Sequence, residues 1–192
     1  MEDVSQRSFE SIFEAIEGFS KSLTSEALAN EMTFPFVTSD NFEVYGQQAR
    51  ASSGVATFIY GNVVNQTNLE EWNVYSTQHK GWMAKSQELD KQLGGSETDY
   101  PESIPLLPFV YDVGFTPEGQ ITISPSTGEG RVVPLWQTTP PPVSPFLLNV
   151  NMMSIENERH PQRGTEIIQG TLLQLRPSGL SQSLCNTIFH PL

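Results

Sequence analysis

Apolar residues recur in steps of three and four from Phe9 through Ile12, Phe13, Ile16 and Phe19 to Leu23, which places all six on one face of an amphipathic helix. Glu10, Glu14, Glu17 and Lys21 fall on the other side. Such a face packs on the helix's own domain, the commoner use, or pairs two copies of the chain. Phe34-Pro35-Phe36-Val37 interrupts the period, because proline holds its predecessor extended, and Ser39-Asp40 then offers caps for a second helix through about Arg50.

The β-branched and aromatic run at 55–64 predicts a central strand. Thr67 and Glu70 have capping-box spacing and open one long helix bearing Leu69, Trp72, Tyr75, His79, Trp82, Met83, Leu89 and Leu93, with Gly94-Gly95 as its stop. Trp72 and Trp82 lie close to one face of that helix, so they anchor it on the sheet or line a cavity between the two. Residues 104–115 and 120–124 predict a hairpin around Thr116-Pro117-Glu118-Gly119, with Ile121 and Ile123 in period-two alternation. Gly128-Glu129-Gly130 leads into a strand at 131–137, and three consecutive prolines then form a stiff exit loop. Residues 154–162 are polar, 164–176 fit a strand or a short helix equally, and 183–191 predict a last strand. There is no internal repeat.

A chain of 192 residues fits one domain, read as a helix at 1–30 followed by a body at 31–192, and eleven Phe, five Tyr and three Trp supply rings for its core. The net charge of -12 argues against nucleic acid and anionic lipid as partners, since both need clustered Lys and Arg. The single cysteine, Cys185, rules out an internal disulfide and a thiolate metal cage. Met1-Glu2-Asp3-Val4 is acidic, precedes no apolar core and is no secretory signal, and no window is long enough to cross a bilayer. The polypeptide as given is expected to be soluble, with no membrane contact of its own. Asn65-Gln66-Thr67 is a glycosylation sequon that suits a secreted loop.

The chain has no nucleophile-elbow pattern, no paired-histidine metal helix and no phosphate-cradling glycine loop, so no catalytic residue, metal or cofactor is expected. His79, His160 and His190 form a dyad with Cys185 only if the fold converges them, and Cys185 also fits a strand as a small apolar residue. Trp136 and Gln137 offer a ring and an amide to a small ligand, with 138–142 as a rigid wall; a purely structural loop fits as well. Arg50 and Arg131 suit an anionic ligand, or they neutralise neighbouring carboxylates.

The run Pro134-Leu135-Trp136-Gln137-Thr138-Thr139-Pro140-Pro141-Pro142 is followed by Val150-Asn151. With Phe34-Pro35-Phe36-Val37-Thr38, the segment 42–50, Trp72 and Trp82, it resembles the extracytoplasmic sensor region of algal, diatom-like receptor-type adenylate/guanylate cyclases. The resemblance implies an α/β (α+β) domain of PAS-like or CHASE-like kind, an antiparallel sheet with a long N-terminal helix and a second long helix packed on it. It also implies a place between two membrane spans, a cyclase domain on the cytoplasmic side, an unidentified small-molecule or peptide cue, and a signal passed through the first helix. Neither span nor the cyclase's metal-binding aspartates are in this sequence, so the chain is expected to make no cyclic nucleotide itself. Thr138-Thr139 replaces a shorter Ser-Pro step of the family, and 157–180 match it poorly. The alternatives are a soluble interaction protein that dimerises through Phe9, Ile12, Phe13, Ile16 and Phe19, and a small hydrolase using Cys185 or a serine with a histidine.

Overall fold

A computed structural model describes residues 4–94, 100, 106–118, 120–127, 131–141, 148–154, 172–173 and 185–186. Helix α1 (Val4–Ala29) buries the C-terminal half of the expected stripe: Ile16, Phe19 and Leu23 enter the core with Ala15 and Ala27, and Ile12 is half-buried against it. Full burial of each large side chain is worth roughly 2 kcal/mol. Glu10, Glu14, Glu17 and Lys21 face solvent as expected. Phe13 does not join the stripe and is 47% exposed, because one residue's rotation from Ile12 carries it to the flank. The side chain of Phe9 lies outside the described residues.

Helix α2 (Phe42–Ser53) packs on α1. Ser39 and Asp40 do not cap it with their side chains, and Asn41 at the N-cap makes no side-chain cap bond. The carboxylate of Glu26 on α1 gathers this segment instead, with its oxygens accepting from Ser39 Oγ at 2.5 Å, the Asp40 N–H at 3.1 Å and Asn41 Nδ2 at 3.2 Å. A negative group beside a helix N-terminus also complements the helix dipole. The helix runs three residues past Arg50 and ends at Gly54, whose φ of 72° is the left-handed conformation that glycine adopts without strain.

The expected single long helix is two helices, α3 (Leu69–Gln78) and α4 (Trp82–Gln92). The polar, exposed His79-Lys80-Gly81 step separates them, and glycine is a poor helix former. The capping box does not form either, since Gln66–Asn68 is a short 3-10 turn and Thr67 Oγ1 bonds Asn68 Oδ1. Gly94, with φ 78°, follows the end of α4 at the expected place, while Gly95 lies outside the described residues.

Among the described residues the strands make three small sheets rather than one. In the first, β1 (Phe58–Asn62) lies between β6 (Leu135–Thr139) and β9 (Cys185–Asn186), with β8 (Leu172–Leu173) beyond β9. In the second, β2 (Val64–Asn65) pairs with β5 (Arg131–Val132), so the single strand expected at 55–64 starts only at Phe58 and divides at Val63 between two sheets. The third has the order β4-β3-β7: β3 (Leu106–Phe115) and β4 (Ile121–Pro125) form the expected hairpin, and β7 (Leu148–Val150) joins β3 in parallel, against an all-antiparallel expectation. The strand expected at 131–137 breaks at Pro134, which has no N–H to donate. The neighbouring Val133 N–H turns to Asn151 Oδ1 at 2.9 Å, so β5 and β6 enter different sheets. The fold is thus mixed α/β, with small, mainly antiparallel sheets against helices. Residues 101–105, 128–130, 142–147 and nearly all of 155–192 lie outside the described residues, and with them the expectations for 154–162 beyond Ser154, and for 164–176 and 183–191 apart from the two short strands β8 and β9.

Candidate functional site

Strand β6 is buried at all five positions, and the motif residues sit at the junction of helices and sheet. Trp136 is fully buried, with Trp72 and Trp82 edge-on at 5.5 and 6.0 Å between ring centroids. The break between α3 and α4 lets both of those indoles reach the same partner. Trp136 Nε1 donates to Thr38 Oγ1 at 2.9 Å, and Thr38 Oγ1 is 2.7 Å from the Tyr75 hydroxyl. Burial pushes the Tyr75 phenol above its ordinary range, partly offset by that Thr38 contact. Gln137, also fully buried, holds both backbone groups of Ser39. Trp136 and Gln137 therefore spend their polar atoms inside the protein.

On the other side of α2 lies a buried charged cluster whose members come from distant parts of the chain. Arg50 Nη2 meets Glu43 Oε1 at 2.9 Å and Asp90 Oδ1 at 3.9 Å, while Arg50 Nη1 donates to Thr139 Oγ1 at 2.7 Å. The hydroxyl of Tyr100 donates to Asp90, and Ser86 Oγ lies 3.5 Å from Glu43 Oε2. Glu43 and Asp90 are 1% and 2% exposed, so two carboxylates share one guanidinium away from water. Burial raises the Glu43 carboxyl to about 7, with Arg50 and Thr139 opposing and Asp90 adding to the rise. Burial and the bond to Asp90 likewise push the Tyr100 phenol upward. Glu43 and Arg50 are seven residues apart and so share a helix face, the one sequence signal for this cluster. Asp90 and Tyr100 gave none, because they reach it only through tertiary packing.

The open face of α1 lines a groove with α2 of about 460 Å³, whose walls include Ser11, Glu14, Ala15, Gly18, Phe19 and Ser22 on one helix and Tyr45, Gln48, Ala49 and Ser52 on the other. A second hollow of about 520 Å³ continues it past Ser25, Glu26 and Ala29, and shares Ser22 and Tyr45. A Cβ added at Gly18 would meet nothing within 4 Å. Small residues at steps of three and four along α1 were the available signal, overshadowed by the apolar stripe beside them.

The remaining expected residues do not meet at one place. Arg50 faces Thr139 rather than Trp136, and the side chain of Arg131 lies outside the described residues, its backbone pairing with exposed Asn65 across β2 and β5. His79 is exposed and stacked on Tyr75 at 4.0 Å; the Cys185 side chain, His160 and His190 lie outside the described residues. Trp82 Nε1 and Ser20 Oγ are buried without a hydrogen-bond partner among the described residues. Among those residues no group of three or more His, Cys, Asp and Glu is placed to hold a metal ion, and no helix is long and apolar enough to cross a membrane. No protein-family model, no curated protein and no solved structure matches the chain.

Proposed function

We propose that this chain is the ligand-sensing domain of a receptor-type adenylate/guanylate cyclase, a PAS-like or CHASE-like module that is itself non-catalytic and faces the outside of the cell. The cue is a small polar or peptidic molecule held in the groove between α1 and α2. The observation that carries the reading is the two-sidedness of α2. Tyr45, Gln48, Ala49 and Ser52 line the groove, while Glu43 and Arg50 on the opposite side bind α4 and β6.

A ligand that favours one position of α2 over another shifts α1 with it, because the two helices share the groove and Glu26 ties α1 to the start of α2. Trp136 and Gln137 act in this reading as the fixed wall against which α2 moves. Asn65 is exposed at the end of β2, which suits its expected glycosylation on an outward-facing domain.

The test is Gly18→Trp, which fills the groove from a position with free space around it. Wild-type protein and the variant are screened by thermal shift against amino acids, nucleosides, small carboxylates and short peptides. The reading expects compounds that raise the wild-type melting temperature and leave the variant unmoved; ligands that stabilise both equally place the cue elsewhere.

A further inference from the structure

The β3–β4 hairpin carries an unpaired edge and an apolar face that the sensing role does not use. Ser126 N–H donates to the Val110 carbonyl at 2.8 Å and Thr116 N–H to the Gln120 carbonyl at 2.9 Å, and the register sets Asp112 opposite Ser124 and Gly114 opposite Thr122. In an antiparallel ladder these alternate positions point their backbone groups at the partner strand. The even-numbered residues of β4 therefore bond β3, and the backbone groups of Ile121, Ile123 and Pro125 point to the outer edge. No strand pairs with that edge among the described residues.

The side chains on one face of the same hairpin are apolar. Ile121 is 69% exposed, Ile123 45% and Phe109 51%, and Tyr111, Val113 and Pro125 share their face by alternation and register. Val110, on the opposite face, is buried in the core, which fixes the first face outward. Isolated exposed apolar residues are ordinary, but a contiguous apolar face beside an open strand edge marks an interaction surface.

Charge selects the occupant. The chain carries a net charge of -12, yet the only charged residue of β3 and β4 is Asp112, which lies on the other face and accepts from Asn151 Nδ2 at 2.7 Å. A basic partner would find no carboxylate here, whereas a second copy can approach at this place without opposing its own charge. We infer that β4 is a self-association edge, across which two copies of the chain pair antiparallel about a two-fold axis at Ile123.

That register is self-complementary. Ile123 bonds its counterpart in both directions, and each Ile121 N–H reaches the carbonyl of the other copy's Pro125, so the missing proline N–H removes only the two reverse bonds. The axis sends the two Glu118 turns to opposite ends of the joined edge, which keeps their charges apart. Pairing about a two-fold axis consumes both edges, so assembly stops at two chains. The area is small, and the pair belongs with weak, concentration-dependent associations. This inference stands apart from the groove, and its failure leaves the sensing role untouched.

The experiment is sedimentation equilibrium over a concentration series, with cysteine cross-linking to fix the register. Wild-type protein is expected to pass from one chain to two, and Ile123→Lys to weaken the association by about tenfold or more at an unchanged melting temperature. In a Cys185→Ser background, Ile123→Cys is expected to oxidise to a linked dimer, since a hydrogen-bonded antiparallel pair sets its Cα atoms about 5.5 Å apart. Thr122→Cys, on the other face, is expected to stay single. A chain that remains single at every concentration, growth beyond two chains, or equal linking at both positions overturns the inference. Should Ile123→Lys fail to fold, the cysteine pair decides the matter alone.

Discussion

Gln137 grips Ser39 with both ends of its amide: its Oε1 accepts the Ser39 N–H at 2.9 Å and its Nε2 donates to the Ser39 carbonyl at 2.9 Å. Ser39 in turn donates its hydroxyl to Glu26, so one strand residue fixes the chain between α1 and α2. Gln137→Leu keeps the volume but leaves two buried backbone groups unpaired. The expected loss is about 2–4 kcal/mol, read from urea unfolding; a loss below about 0.5 kcal/mol would show that water replaces the amide.

Two glycines in helices should respond oppositely to alanine. At Gly18 nothing lies within 4 Å of a Cβ, so Gly18→Ala is expected to gain up to about 1 kcal/mol from helix propensity. At Gly46 the new Cβ would overlap the side chain of Thr139, which also accepts from Arg50. Gly46→Ala is expected to cost about 1–3 kcal/mol, and Thr139→Ala in the same chain to recover part of it. Thermal melts of the four variants check both statements; additivity of Gly46→Ala with Thr139→Ala would remove the contact from the explanation.

Glu43 should make the protein less stable as pH rises from about 4.5 toward 7. The Glu43 carboxyl titrates near 7 in the folded protein against 4.5 when unfolded, so between those values the folded state holds the extra proton. Its contribution is whole below the unfolded value and is lost as pH rises through about 7, on the order of 3 kcal/mol in all. Glu43→Gln cannot ionise and should flatten that part of the profile. Urea midpoints from pH 5 to 8 measure it; an unchanged slope in Glu43→Gln assigns the titration to another group.

Removing the central indole tests the core. Trp136→Phe retains most of the buried ring but loses the bond to Thr38, for an expected cost of about 1–2 kcal/mol, whereas Trp136→Ala should cost about 3–5 kcal/mol. Unfolding by guanidinium measures both. Near-equal losses would mean that the hydrogen bond, not the packing with Trp72 and Trp82, dominates.

The parts of the fold visible in the sequence are those set by local pattern. The stripe through Ile16, Phe19 and Leu23, the hairpin around Thr116 and Pro117, and the strand from Phe58 each follow from neighbours in the chain. The break at His79-Lys80-Gly81 was hidden because an isolated glycine does not by itself end a helix; the pull of Trp136 on both Trp72 and Trp82 rewards the break. Glu26 acting for the N-terminus of α2, and Asp90 joining Glu43 and Arg50, depend on contacts between distant segments that no periodicity encodes. Asn149, with φ 66°, is a similar case: its buried amide accepts from Trp72 Nε1 and donates to Ser76 and the Leu107 carbonyl, although nothing beside it in sequence announces such a hub.

The central claim is that this domain belongs to a receptor cyclase, and sequencing the full-length transcript across both ends of the reading frame tests it most directly. The account predicts apolar membrane spans on either side of the domain and a cyclase catalytic domain downstream. Stop codons close outside Met1 and Leu192, or a different output domain, would contradict it.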